Sequence, residues 1–220
     1  MAGLFGTICL LAVAASILGW STWLEAFSFV TGAICVWLTV QQSIWNFPVG
    51  LANVAAYCFV FFQARLFADA GLQIVYFGLG LAGWYLWCRG GQDQTTLAVR
   101  PASRLELVIL IALVWAGTLG LWQMLQRVGG SASFWDALTT SISLASQWLL
   151  NRKRLENWIG WIVVDMIYVP LYAYKELYLT ALLYALFLIM AIMGLRAWRA
   201  SWLAQRVVRL AVPPLQAEIR

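Results

Sequence analysis

Residues 26–87 of this 220-residue chain can be laid on residues 137–198 without a gap. At that offset of 111 positions Trp37 meets Trp148, Asn46 meets Asn157, Tyr57 meets Tyr168, Gly83 meets Gly194 and Trp87 meets Trp198. Leu38, Leu66, Ala70 and Leu72 also find their own kind, and Glu25 faces Asp136 just ahead. A Leu-rich composition supplies some of these matches unaided, but the paired Trp, Asn, Tyr and Gly are harder to obtain that way. The repeated unit consists of helix-length apolar segments. Duplicated membrane units of one sense are a signature of transport pathways.

The chain is 63% hydrophobic and 10% charged, with a mean hydropathy of +0.81, well outside the soluble range. A membrane-spanning helix needs about 20 mostly apolar residues. Eight stretches meet that need, near 2–20, 24–41, 47–64, 67–88, 105–126, 134–151, 157–175 and 177–199. Together they leave no room for a soluble domain. The apolar runs are continuous rather than alternating, which argues against a β-barrel. The expected fold class is therefore an all-α integral membrane protein of about eight transmembrane helices.

Orientation follows from the basic residues. One set of connections carries Arg89, Arg100 and Arg104, then Arg152, Lys153 and Arg154, then Arg196, Arg199, Arg206, Arg209 and Arg220. The alternate connections carry Arg65, Arg127 and Lys175. The richer set belongs in the cytosol, and eight spans put both termini there. The net charge of +5 reflects this asymmetry at helix ends, so nucleic acid is not an expected partner. The first segment lacks the basic start of a signal peptide and has a long apolar run, so it reads as a retained helix.

Three repeated spans per half is an odd number. Two halves of the same sense then require one helix between them, and segment 105–126 supplies it. The architecture reads as 3 + 1 + 3 with an additional N-terminal helix. Its parts are an extra helix over 1–22, a first three-helix unit over 23–90, a linker helix within 91–133, a second unit over 134–200, and a basic cytoplasmic tail over 201–220.

Polar groups are costly in lipid, so their positions inform. Asn157, Trp161, Asp165, Tyr168 and Tyr172 follow one another by four, four, three and four, which places them on one helical face. Asn46, Gly50, Asn53 and Tyr57 form the matching face of the first half. Asp69, Gln73, Tyr76, Gly80, Trp84 and Trp87 share a third face, and Ser143, Gln147 and Asn151 a fourth. Asp165 lies eight residues into its span, about 12 Å deep at 1.5 Å per residue, and no Lys or Arg falls inside any span to pair with it. It is protonated, hydrogen-bonded to Tyr or Gln, or facing water and a positive ligand. Trp84, Trp148, Trp158 and Trp161 offer cation–π faces nearby.

Plainer roles compete. Asn46 and Asn157 begin their helices and are placed to cap them. Tyr57 and Trp87 read better as interfacial belt residues, and Gly50, Gly80 and Gly83 as close-packing positions. The four cysteines Cys9, Cys35, Cys58 and Cys88 lie in or at the end of apolar spans and read as packing residues. The absence of His removes the usual general base and zinc ligand. No catalytic residue, metal site or cofactor is expected. A membrane-embedded enzyme is disfavoured on that ground, and a non-catalytic subunit of a larger complex on the ground of the mirrored polar faces.

The stretch Gln147-Trp-Leu-Leu-Asn-Arg-Lys-Arg-Leu-Glu-Asn-Trp158, continued by Trp161-Ile-Val-Val-Asp-Met-Ile-Tyr-Val-Pro-Leu-Tyr172, resembles the PnuC family of vitamin transporters. The first half is similar too, through Ile44-Trp-Asn-Phe-Pro-Val-Gly50, Phe61-Phe-Gln-Ala-Arg-Leu-Phe-Ala-Asp69, Leu72-Gln73 and Gly83-Trp-Tyr-Leu-Trp87. The resemblance covers about residues 24–200. It implies a SWEET-like fold, a homotrimer with one pathway per protomer, and uptake of nicotinamide riboside across the bacterial inner membrane. It further implies facilitated diffusion, with trapping by a cytosolic ribosylnicotinamide kinase. Other members of that family carry thiamine, riboflavin or deoxynucleosides.

The independent reading suits a flat, cationic, hydroxyl-bearing ligand. On it Asn53, Gln73, Gln147 and Asn157 hydrogen-bond amide or ribose groups, while Trp161, Trp148, Trp84 and Tyr168 offer aromatic faces. Tyr172 completes the face of its helix, and Asp165 balances the ring charge or binds a hydroxyl. Pro48 and Pro170 are candidate flex points.

Overall fold

The computed structural model describes residues 23–63, 67–91, 96–127, 133–174, 176 and 178–211. The expected first helix lies outside the described residues. Within them the chain forms helices α1 (Trp23–Val40), α2 (Asn46–Gln63), α3 (Phe67–Arg89), α4 (Arg104–Arg127), α5 (Ser133–Asn151), α6 (Asn157–Tyr174) and α7 (Tyr178–Ala211). The apolar segments fix six of these to within one residue of their sequence-based bounds.

The seventh differs. The apolar run ends near 199, yet α7 continues to Ala211 because Trp202, Leu203, Ala204, Gln205 and Arg206 all sustain a helix and no breaker comes before Pro213-Pro214. At 1.5 Å per residue its 34 residues span about 51 Å, more than the ~30 Å of a hydrocarbon core. Part of the expected tail is therefore helix.

Helices α1, α2, α3, α5, α6 and α7 pack into a closed ring. Within the first half α1 meets α2 and α2 meets α3; within the second α5 meets α6 and α6 meets α7. The ring closes through α3 against α5 and α1 against α7. Each of these joints has a counterpart in the other half. Helix α4 stands outside the ring, against α5. Its outer residues Val108, Ile111, Trp115 and Leu119 are exposed apolar side chains along a helix that buries Thr118 alone. Such a surface is at home in lipid, not in water.

The repeat extends to single hydrogen bonds. The α1–α2 turn closes with Gln42 N to Thr39 O at 3.0 Å and Ser43 N to Leu38 O at 2.9 Å. The α5–α6 turn closes with Lys153 N to Leu150 O at 2.9 Å and Arg154 N to Leu149 O at 2.9 Å, every partner displaced by 111. Both turns end their helix on a left-handed residue that is not glycine, Gln42 at φ 57° and Lys153 at φ 49°.

Trp87 and Trp198 cross between halves. The Trp87 indole N–H donates to the Leu150 carbonyl and the Trp198 indole N–H to the Thr39 carbonyl, each at 3.1 Å. Both indoles are buried, Trp87 at 2% exposure, so the interfacial belt role expected for Trp87 is corrected: the polar edge of the ring is satisfied internally, so the ring needs no interface. The α3–α4 linker is strapped to the same end. Arg100 N donates to Lys153 O, Leu155 N to Arg100 O, and Ala102 N to Glu156 Oε2 at 2.8 Å. The Lys153 ammonium lies 4.3 Å from the centre of the Trp87 ring.

Candidate functional site

The ring encloses a cavity of about 480 Å³ to which all six of its helices contribute. Its lining follows the repeat: Gly32 and Ser143, Val36 and Gln147, Phe47 and Trp158, Gly50 and Trp161, Val54 and Asp165, Gln73 and Tyr184 all face it. Positions are symmetric and chemistry is not. In these pairs the first half presents Gly, Val, Phe and one amide where the second presents two indoles, a carboxylate, a phenol, a hydroxyl and an amide.

Close approach of the helices is set by two glycines. A methyl group at Gly83 on α3 would stand 2.7 Å from the Phe47 ring and collide with the Asn151 amide. Its counterpart Gly194 on α7 lies equally tight against the Trp158 ring. The space at Gly83 admits Asn151, which donates to the α3 carbonyl of Leu79 at 2.8 Å and accepts from Gln147 Nε2 at 3.0 Å. That chain holds Gln147 at the cavity wall.

One end of the cavity is shut by aromatic rings. Phe47 packs edge-on against Trp87 at 5.1 Å, Trp87 against Trp198 at 5.8 Å, and Trp198 edge-on against Trp158 at 5.4 Å. The series is itself symmetric, since Phe47 matches Trp158 and Trp87 matches Trp198. Toward the opposite end Tyr168, Tyr172 and Tyr184 cluster, with Tyr172 and Tyr184 stacked 8° from parallel at 5.2 Å.

Of the residues singled out in the sequence, Asn53, Gln73, Gln147, Trp161, Asp165 and Tyr168 all line the cavity. Asn53 donates to the Thr31 hydroxyl at 2.6 Å. Asp165 is 4% exposed, and among the described residues no Lys or Arg lies within ion-pair distance of it.

The other four stand elsewhere. Trp84 is exposed on the outer face of α3, because α3 turns its Gly80–Gly83–Trp87 stripe inward and Trp84 falls beside it. Trp148 is exposed in the groove between α4 and α5, under the Arg152 guanidinium at 4.3 Å. Asn157 is fully buried and its amide donates to the Arg154 carbonyl, serving the turn before α6 rather than the cavity. Tyr172 does not line the cavity but backs Tyr184, which does.

Three more residues noted in the sequence, Asn46, Tyr76 and Trp158, also line the cavity, and Tyr184 joins them without having been singled out. The Asn46 amide nitrogen and the Trp158 indole N–H are buried at the wall without a hydrogen-bond partner. Tyr184 was legible in principle, since it stands 111 residues after Gln73.

The family model described as nicotinamide mononucleotide transporter matches residues 22–200. The chain belongs to that family. It is a membrane protein of a transporter family, as the resemblance to the PnuC proteins implied. Among its relatives is the nicotinamide riboside transporter PnuC of Escherichia coli (strain K12), 28% identical over 203 residues, covering 80% of this chain and 85% of the relative. Another is the riboflavin/roseoflavin transporter RibM of Streptomyces davaonensis, 28% identical over 189 residues, covering 84% of this chain and 86% of the relative. The fold is that of a crystal structure of the vitamin B3 transporter PnuC, matched with a TM-score of 0.71 at 23% identity over 93% of this chain and 92% of that one.

Proposed function

We propose that this family member carries nicotinamide riboside across the membrane through the cavity enclosed by the helix ring. The observation that supports the reading best is Asp165, a buried carboxylate on the cavity wall with no cation beside it among the described residues. A permanently cationic pyridinium ring supplies that missing charge. Trp161 and Tyr168 stack on the ring, and Asn53, Gln73 and Gln147 meet the carboxamide and the ribose. The unpartnered donors Asn46 Nδ2 and Trp158 Nε1 find acceptors on the same groups.

The lining also bears on which nicotinamide compound fits. Among the described residues it holds one carboxylate and no Lys or Arg. A phosphate on the ribose would enter a wall with no cation to receive it, so the nucleoside is favoured over the mononucleotide. Riboflavin is the second reading, supported by the RibM relative. Its ring system is neutral and larger, and it makes no use of the Asp165 charge.

On this reading residues 23–90 and 134–200 are two like-oriented three-helix units joined by the helix of 91–133, giving 3 + 1 + 3, with the segment 1–22 in front. The basic α3–α4 linker, α5–α6 turn and C-terminus face the cytosol of the bacterial inner membrane. Transport is facilitated diffusion by alternating access: the Phe47–Trp87–Trp198–Trp158 series closes the cytosolic end and parts to release the cargo. Pro48 lies in the first turn of α2, where a missing N–H costs nothing, so Pro170 inside α6 is the better flex point. The protein works as a homotrimer and is linked to a cytosolic kinase that traps the product. The reading needs no catalytic step, metal or cofactor. Isothermal titration of the detergent-purified chain tests it: nicotinamide riboside should bind at least tenfold tighter than nicotinamide mononucleotide or riboflavin, and equal or reversed preference would sink the assignment.

A further inference from the structure

A second concavity, of about 720 Å³, runs along the outside of the ring between α4 and α5 and plays no part in the transport reading. Its walls from Leu105 to Leu121 are almost wholly apolar and extend about 24 Å at 1.5 Å per residue, the length of an extended acyl chain. At one end the character changes. Arg152 lies there, stacked on the Trp148 ring at 4.3 Å, exposed, and with no carboxylate partner among the described residues. Arg154 and Glu106 also reach this mouth, but they neutralise one another in an ion pair of 3.1 Å. The groove therefore ends in one uncompensated positive charge. A guanidinium seated over an indole and without a carboxylate partner has N–H groups to offer a phosphate.

We propose that this groove is a binding site for an anionic phospholipid, with its phosphate on Arg152 and one acyl chain along the α4–α5 seam. The match is one of charge and shape together: an apolar channel open to the bilayer, with an unpaired cation at the depth of the headgroups. Trp148 serves as the platform for Arg152.

The test is native mass spectrometry of the full chain in detergent, titrated with dioleoyl phosphatidylglycerol or dioleoyl phosphatidylcholine. The wild type should retain phosphatidylglycerol about fivefold better, the increment of one basic residue at an anionic membrane surface. Arg152→Gln should abolish that preference while leaving the weaker phosphatidylcholine binding intact. Leu113→Trp, which fills the groove from its exposed side, should reduce retention of both. Equal retention of the two lipids by the wild type, or an unchanged preference in Arg152→Gln, would refute the site. So would efficient disulfide crosslinking of two Leu113→Cys chains in the membrane, which would show that a second copy covers the groove.

Discussion

Trp87 and Trp198 make the same hydrogen bond in opposite directions. The Trp87 indole donates to Leu150 O and the Trp198 indole to Thr39 O, both at 3.1 Å, and the two donors and the two acceptors are each 111 residues apart. The exchange ties the end of α3 to the end of α5 and the end of α7 to the end of α1. These are the two joints that close the ring. Each accepting carbonyl also receives a turn amide, from Lys153 and Gln42 respectively, so losing one indole donor does not strand it.

The replacements Trp87→Phe and Trp198→Phe should therefore have similar and moderate effects. Each removes one buried hydrogen bond worth about 1 kcal/mol, together with part of a ring. Thermal melts of the detergent-purified chain should show two comparable downward shifts, and a marked difference between them would mean the two joints are not equivalent.

Asp165→Asn keeps the shape of the side chain and removes its charge. Uptake of cationic nicotinamide riboside should fall at least tenfold, since a buried interaction with full charge is worth about 1.5–3 kcal/mol. Binding of neutral riboflavin, if any, should be unaffected. Uptake that survives this substitution would remove the carboxylate from the substrate site.

Gly83→Ala forces a methyl group into the Phe47 ring and the Asn151 amide. Asn151 then loses its place against Leu79, and Gln147 loses its anchor. The variant should melt earlier and bind substrate more weakly. Gly71→Ala is the control, because a methyl there meets nothing within 4 Å.

Lys153 lies in the α5–α6 turn, outside the spanning segments, and burial lowers its ammonium from 10.5 to about 8. With the folded value below the unfolded one, the folded chain binds fewer protons between those limits, so stability rises with pH across that window. The melting temperature should climb between pH 8 and 10, and the climb should flatten in Lys153→Met. An identical slope in both would exclude Lys153 as its source.

The fold was largely legible in the sequence because lipid imposes one rule on every helix: satisfy the backbone internally and stay apolar for about 20 residues. The duplication added the pairing of Asn46 with Asn157 and Trp87 with Trp198. The end of α7 was harder, since its last turns leave the apolar pattern while remaining good helix formers. The site was legible where polarity was unexpected. Asp165, Gln73 and Gln147 stood out because a polar group in a spanning helix must either face a polar path or bond to a neighbouring helix. Trp84 and Trp148 misled, because a tryptophan is equally at home against a ligand, against a neighbouring helix or at the membrane edge, and helical spacing leaves the three choices open. Tyr184 lies among the Leu and Ala of an apolar helix, where only its repeat register with Gln73 marked it before the cavity did.

Transport itself is best tested by uptake of labelled nicotinamide riboside into proteoliposomes containing this chain alone, with and without a ribosylnicotinamide kinase and ATP inside. Entry should stop at equal concentrations without the kinase, continue as phosphorylated product with it, and ignore added thiamine or riboflavin. Failure of the nucleoside to enter, or its suppression by either of those vitamins, would contradict the proposed cargo and leave the fold with a different one.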